Sequence, residues 1–385
     1  MRHAAVRMTL LAGAAAAVLL VVAACSSGSP GTSAGGSSGS AAPFLDRFHV
    51  VSQIASTVPA NGDVNPYGVA VVPQSAGRLV RGDVLVSNFN AKSNIQGTGS
   101  TVMQVAPDGA VRQFADVASL PGPMSCPGGV GLTTALGVLP GGWVVVGSLP
   151  TDHGGALPPA NPVGCLIVLD SQGKPVETWS DPDINGPWDM TVEATGGHAD
   201  VFVSNVLSRP AGGGTPPPAG LCNVIRLAVD LPAGQPPHLA GVTVVGTGFP
   251  WQQNKAALIE GPTGVALGTG QNPTLYVAST LGNSISAIPD ALTRTTAANG
   301  TADVLSRGGH LSGPLGLALA PGGDLVAVNG GNGDAVEISP SGRQVATVAL
   351  VPGGAGDLFG VIAASDGDGL LFVNDGTNAL DFFSG

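Results

Sequence analysis

Charge is scarce in this chain: only 10% of its 385 residues are Asp, Glu, Lys or Arg, and three of them are lysine. With a formal net charge of −11, that shortage of cations excludes nucleic acid as a partner. Aromatic residues are equally thin at 4%. Beyond the first two dozen residues, no window of a dozen or more has a 3.6-residue apolar stripe, which excludes a helical bundle. Sixty Gly and 32 Pro would fit disorder, but 43% of the chain is hydrophobic and arrives in short Val-, Leu- and Ala-rich runs. Runs such as "GDVLVSN", "GWVVVGS", "ADVFVSN" and "GDLVAVN" are bounded by Gly, Pro, Asn and Asp, the punctuation of an antiparallel all-β protein.

The one long apolar run, "LLAGAAAAVLLVVAA", follows Arg2 and Arg7 and stops at Cys25. It is too short and too abruptly ended for a membrane span, and residues 1–24 are assigned as a signal peptide. Val22, Ala23, Ala24 and Cys25 resemble a bacterial lipobox, which implies that Cys25 becomes the lipidated first residue of the mature chain. Residues 25–43 then form a Ser/Gly/Ala/Pro tether with a mean reach on the order of 25 Å. The expected location is the outer side of a bacterial cell membrane, held by acyl chains. Loss of Arg2 and Arg7 with no acidic residue takes the charge from −11 to −13, which argues against electrostatic docking on anionic lipid. "GTSAG" at Gly31 matches a nucleophile elbow only formally, because Ser33 lies in the tether.

Residues 44–385 carry a repeat of the form Pro-x-Gly-apolar-x-apolar. Its copies are "PYGVAV" at Pro66, "PGGVGL" at Pro127, "PWDMTV" at Pro187, "PTGVAL" at Pro262, "PLGLAL" at Pro314 and, without the proline, "LFGVIA" at Leu358. Each is followed by a turn and an apolar strand closing on Asn or Ser, then by further strands. Six such units point to a six-bladed β-propeller. The sixth unit runs out after three strands, while "DRFHVVSQIAS" at residues 46–56 has no unit of its own. That segment is expected to complete the last blade from outside, pairing both chain ends and removing an exposed sheet edge.

The same succession of motifs resembles the NHL-type six-bladed propellers, whose superfamily includes gluconolactonase-like hydrolases and virginiamycin B lyase. In such a ring the loops leading into the innermost strands and those leaving the second strands share one mouth. This placement gathers Asn65, Tyr67, Trp188, Asp189, Glu260, Asp357 and Phe359 with Asn88, Phe89, Asn205, Asn329 and Asn374. Trp251 is assigned to the same rim. Tyr67, Phe89, Trp188, Trp251, Phe359, Asn329 and Asn374 are candidate ligand-binding residues, either as a platform for a sugar, headgroup or peptide, or as a plug packed between blades.

Asp189 stands in the column that other copies fill with Gly68, Gly129, Gly264, Gly316 and Gly360. With Glu260, Asn88 and Asn205 it could hold Ca²⁺ or Mg²⁺, or it could accept hydrogen bonds from nearby amides. "EGPTG" at Glu260 is similar to the Glu-Gly-Pro motif of gluconolactonase-like hydrolases, although it falls in the fourth unit rather than the first. Lyase chemistry of the virginiamycin kind would want a mouth histidine, and none of the six histidines sits in a repeat motif. Cys126, Cys165 and Cys222 remain after Cys25, and Cys126–Cys165 is the expected disulfide, with Cys165–Cys222 as the alternative. The reading is a monomeric membrane-tethered propeller that binds a small molecule or a protein without catalysis. The alternative is a divalent-metal-dependent hydrolase or lyase.

Overall fold

The computed structural model describes residues 42–152, 155–157, 163–207, 219–254 and 257–385. The segment assigned as signal peptide, Cys25 and the assigned tether as far as residue 41 lie outside the described residues. Six antiparallel sheets surround one axis. Blade one is built from Val64–Val71, Val84–Asn90, Thr101–Val105 and Val111–Asp116, and blade two from Leu136–Leu139, Trp143–Ser148, Cys165–Leu169 and Pro175–Trp179. Blade three uses Pro187–Thr195, His198–Asn205, Ala219–Asp230 and the long strand His238–Asn254, which turns back through Leu258–Glu260. Blade four has Pro262–Leu267, Leu275–Ser279, Ser284–Ile288 and Val304–Arg307; Ala298–Asn299 leaves it to pair in parallel with blade three. Blade five has Pro314–Leu319, Leu325–Asn329, Asp334–Ile338 and Gln344–Ala349.

Blade six closes the ring as expected. Leu358–Ala363, Gly369–Asn374 and Ala379–Ser384 are joined on the outside by Val50–Ser56, from Val50 opposite Ser384 to Ser56 opposite Ala379. The closing strand starts later than residue 46, because Leu45–Arg47 coil into a 3₁₀ turn. That turn is pinned by the Glu337 carboxylate of blade five, which accepts N–H bonds from Phe44 and Leu45 at 2.8 Å each. Phe44, Leu45 and Phe48 are buried with Val326, Val328, Phe372 and Phe383, so the segment ties blade five to blade six as well as filling an edge.

Every middle strand is sandwiched between two neighbouring blades, which explains why these strands are apolar without alternation. In blade two, Val144 and Val146 pack towards blade one while Val145 packs towards blade three. Both faces are dry.

One repeat is misplaced by the sequence pattern. The innermost strand of blade two is Leu136–Leu139, not the "PGGVGL" copy, and the residue in register with Gly68 is Ala135 rather than Gly129. Gly129 sits at φ +83°, outside any strand. The segment around it is fixed instead by the Cys126–Cys165 disulfide and by paired N–H···O bonds between Leu132 and Leu149. Cys222 is the free, buried thiol.

Candidate site at the propeller mouth

The glycine column has a steric cause. A Cβ on Gly68 would lie 2.3 Å from the Thr134 carbonyl of the next blade. On Gly264, Gly316 and Gly360 it would lie 2.4, 2.3 and 2.1 Å from the carbonyls of Leu315, Phe359 and Tyr67. At these four seams the inner strands meet backbone to backbone near the axis, with no room for a side chain. At the seam between blades three and four the contact is made differently. Asp189 Oδ2 accepts the Val265 N–H at 3.0 Å, Oδ1 accepts the Met190 N–H at 2.9 Å, and Ser204 Oγ donates to the Thr263 carbonyl at 2.5 Å. Of the two roles open to Asp189, the structure shows it as an acceptor of strand amides.

The axial channel is divided by aromatic rings. Tyr67 stacks on Phe359 with centroids 5.3 Å apart, and meets Trp188 edge-on at 5.4 Å and Phe89 at 6.3 Å. Trp188 Nε1 donates to the Tyr67 hydroxyl at 2.6 Å. On the far side of this plug is a channel cavity of about 250 Å³, lined by Asp189, Met190, Val265, Leu317 and Val361 among others. On the near side the mouth opens as a cavity of about 410 Å³. Tyr67 borders both. Burial pushes its hydroxyl well above the usual tyrosine range, the Asp189 charge adds to the rise, and the Trp188 bond opposes it.

The mouth cavity has an aromatic floor of Tyr67, Phe89, Trp188 and Phe359 and a polar wall that includes Asn65, Asn94, Gln96, Asn254, Glu260 and Asp375. Gly313, Gly330, Gly331 and Gly356 leave bare backbone on the side of blades five and six. The long strand of blade three turns back over the mouth to bring Asn254, Ile259 and Glu260 to its edge. Glu260 Oε2 accepts from Gln252 at 2.9 Å and Oε1 from Asn254 at 2.6 Å, so two amides fix its carboxylate. Asp375 is the contrasting acid, with Oδ1 buried and unpartnered. Burial raises its carboxyl from the ordinary range to about 7, and the nearby Asp357 charge adds to the shift.

Several residues assigned to the rim are elsewhere. Trp251 is fully buried in the cluster under the blade three extension with Phe249, Ile259 and Cys222, and belongs to the core. The asparagines ending the second strands bond to neighbouring segments and do not line the mouth cavity. Asn88 donates to the Thr57 carbonyl, Asn329 to the His310 carbonyl and Asn374 to the Asp381 carboxylate in the adjacent strand. Asn205 accepts from the Asn185 and Gly186 N–H groups and donates to the Asp183 carbonyl.

The set Asp189, Glu260, Asn88 and Asn205 is thus not brought together. Asp189 borders the channel cavity and Glu260 the mouth, and both asparagines are engaged by loops. Among the described residues no three His, Cys, Asp or Glu side chains are grouped to hold a metal ion. Asp375 was missed, although a signal existed. It occupies the column one step past each second-strand end, shared with Phe89, Leu149, Val206, Thr280 and Gly330, and it is the one charged residue there.

No family model matches the chain, and no curated protein matches it in sequence. Solved structures do share its fold. A gluconolactonase from Xanthomonas campestris is 14% identical with a TM-score of 0.52, over 89% of this chain and 91% of that one. A PQQ-bound aldose sugar dehydrogenase from Streptomyces coelicolor is 16% identical with a TM-score of 0.51, over 87% and 97%. Virginiamycin B lyase from Staphylococcus aureus is 12% identical with a TM-score of 0.50, over 87% and 99%. At these identities the likeness is one of architecture, the six-bladed propeller.

Proposed function

We propose that the mouth cavity binds a small, uncharged, hydroxyl-rich molecule of the sugar or sugar-lactone class and acts on it by proton transfer, in a protein held outside the cell membrane through Cys25. The observation that carries this reading is the pairing, in one cavity, of an aromatic floor with two unlike carboxyl groups. Aromatic faces suit the C–H side of a sugar ring, and amides at the wall suit its hydroxyls. Asp375, poised near neutral pH, is the group able to give or take a proton; Glu260, held by Gln252 and Asn254, is suited to orient a hydroxyl. That proteins of the same fold include a lactonase and a sugar dehydrogenase supports a sugar-like ligand.

A divalent ion held by the predicted set does not fit, since Asp189 and Glu260 border different cavities and Asn88 and Asn205 line neither. PQQ does not fit either: its carboxylates call for cations, and the described residues lining the mouth include no Lys, Arg or His. A second reading, capture without turnover, draws on the floor itself, whose rings already stack on and hydrogen-bond one another.

The test uses D-glucono-1,5-lactone and a panel of neutral sugars, with binding followed by tryptophan fluorescence and ring opening by acid release. Asp375→Asn is expected to keep binding while lowering turnover roughly a hundredfold or more. Unchanged turnover in that variant overturns the catalytic assignment. Binding without turnover in the unmodified protein favours capture, and no binding across the panel overturns the ligand class.

A further inference from the structure

The mouth and the point where the N-terminal segment joins the ring lie on opposite faces. Inner strands start at the mouth, second strands return to it, and third strands end at the far face. Ser56 pairs with Ala379, just after the mouth-side turn of blade six, whereas Val50 pairs with Ser384 at the other end of the sheet. The chain before Val50 is therefore on the far face. Glu337 holds it there: this residue adjoins Ile338, which pairs with Leu325 at the far end of blade five. Glu337 is 1% exposed, and its carboxylate takes both the Phe44 and Leu45 N–H groups. Phe44, Leu45 and Phe48 are buried beside it. The described chain therefore begins at this face.

We propose that the far face is turned towards the membrane and the mouth opens away from it, so that the ligand arrives from the aqueous side rather than from the bilayer. This rests on the lipidated Cys25 reading. The residues between Cys25 and Phe44 reach on the order of 25 Å on average. A globule of about 340 residues has a radius of gyration of about 20 Å, so turning the mouth to the lipid would need the tether stretched around the ring. The pinned attachment makes that orientation costly in tether entropy.

Two reporter sites on neighbouring blades test the orientation. Leu281→Cys lies on a mouth-side turn and Ser341→Cys on a far-side turn, and both positions are exposed. In the lipidated chain a thiol dye reaches only the introduced cysteine, because the Cys25 sulfur carries the lipid, Cys126 and Cys165 are bonded to each other and Cys222 is buried. The full chain is placed in vesicles carrying an acceptor dye on the lipid headgroups. Higher energy transfer from position 341 than from 281 is expected. Equal or reversed transfer in an anchored chain overturns the orientation and leaves the anchor standing. Cys25→Ser is expected to move the protein to the soluble fraction; membrane partition unchanged by that substitution overturns the anchor, and the proposal with it.

Discussion

The seam between blades six and one and the seam between blades three and four solve one steric problem in opposite ways. At the first, Gly360 lets the Tyr67 carbonyl approach to within the space a Cβ would occupy. At the second, Asp189 fills the equivalent position and turns a close approach into hydrogen bonds with Val265 and Met190. The inner position of a blade is therefore not a glycine site as such. It is a site where the neighbouring backbone must be either approached or bonded, and the neighbour decides which. Its place in the column made Asp189 look like an inserted ligand, and the backbone beside it explains the carboxylate without one.

Gly360→Ala is the harshest test of the difference between the two seams. The added methyl would meet backbone, which cannot swing aside, 2.1 Å away. A loss of about 3 kcal/mol is expected in urea unfolding, at the upper end for overpacking. Gly129→Ala sharpens the result, since its Cβ would meet nothing within 4 Å and only the positive φ is strained. Its cost should be about 1 kcal/mol. If the two variants lose the same stability, the seam explanation fails.

A milder probe is Ser204→Ala at the other seam. It removes a donor to the Thr263 carbonyl and an acceptor for the Asp189 N–H, both deep in the ring. A loss of about 1–2 kcal/mol is expected. No measurable change would mean that the Ser204 bonds add nothing to what packing and the Asp189–Val265 bond already supply.

The architecture was legible because its signals are local and repeated. Turn residues at fixed spacing marked the strands, and three strands left over at one end required the unpaired segment at the other. Blade two escaped because the motif is short: "PGGVGL" satisfies it, while the true inner strand carries Ala135 where the pattern asks for glycine. The mouth was half legible. Tyr67, Phe89, Trp188 and Phe359 follow from the repeat register, but Trp251 sits on an extension of blade three that no repeat describes. The asparagine column is conspicuous in sequence because its amides bond neighbouring loops and, at Asn374, the adjacent strand, and none of them lines the cavity. Asp375 lay one residue beyond that column, and its chemistry depends on burial and on Asp357, neither of which a linear pattern reports.

Asp189→Asn is the gentlest test, read as a change in pH dependence. Burial raises the Asp189 carboxyl to about 7, against the two amide bonds that oppose the rise, so the folded state keeps its proton over a range where the unfolded chain has lost it. Stability from this group is therefore present below about pH 4 and is lost as pH rises towards about 7, at no more than about 1.4 kcal/mol per pH unit. Asp183, Glu337, Asp375 and Asp381 are shifted the same way, so the wild type should lose stability steadily from pH 4 to 7. Asparagine removes one titrating group from that slope. The melting temperatures of the two proteins should therefore differ most at pH 5, where the variant has lost an acceptor for one N–H, and converge or cross by pH 8, where it has also lost a buried charge. Parallel curves across that range would show that Asp189 is ionised throughout, with enough channel water around it to hold the charge. The two seams would then differ in solvation as well as in sterics.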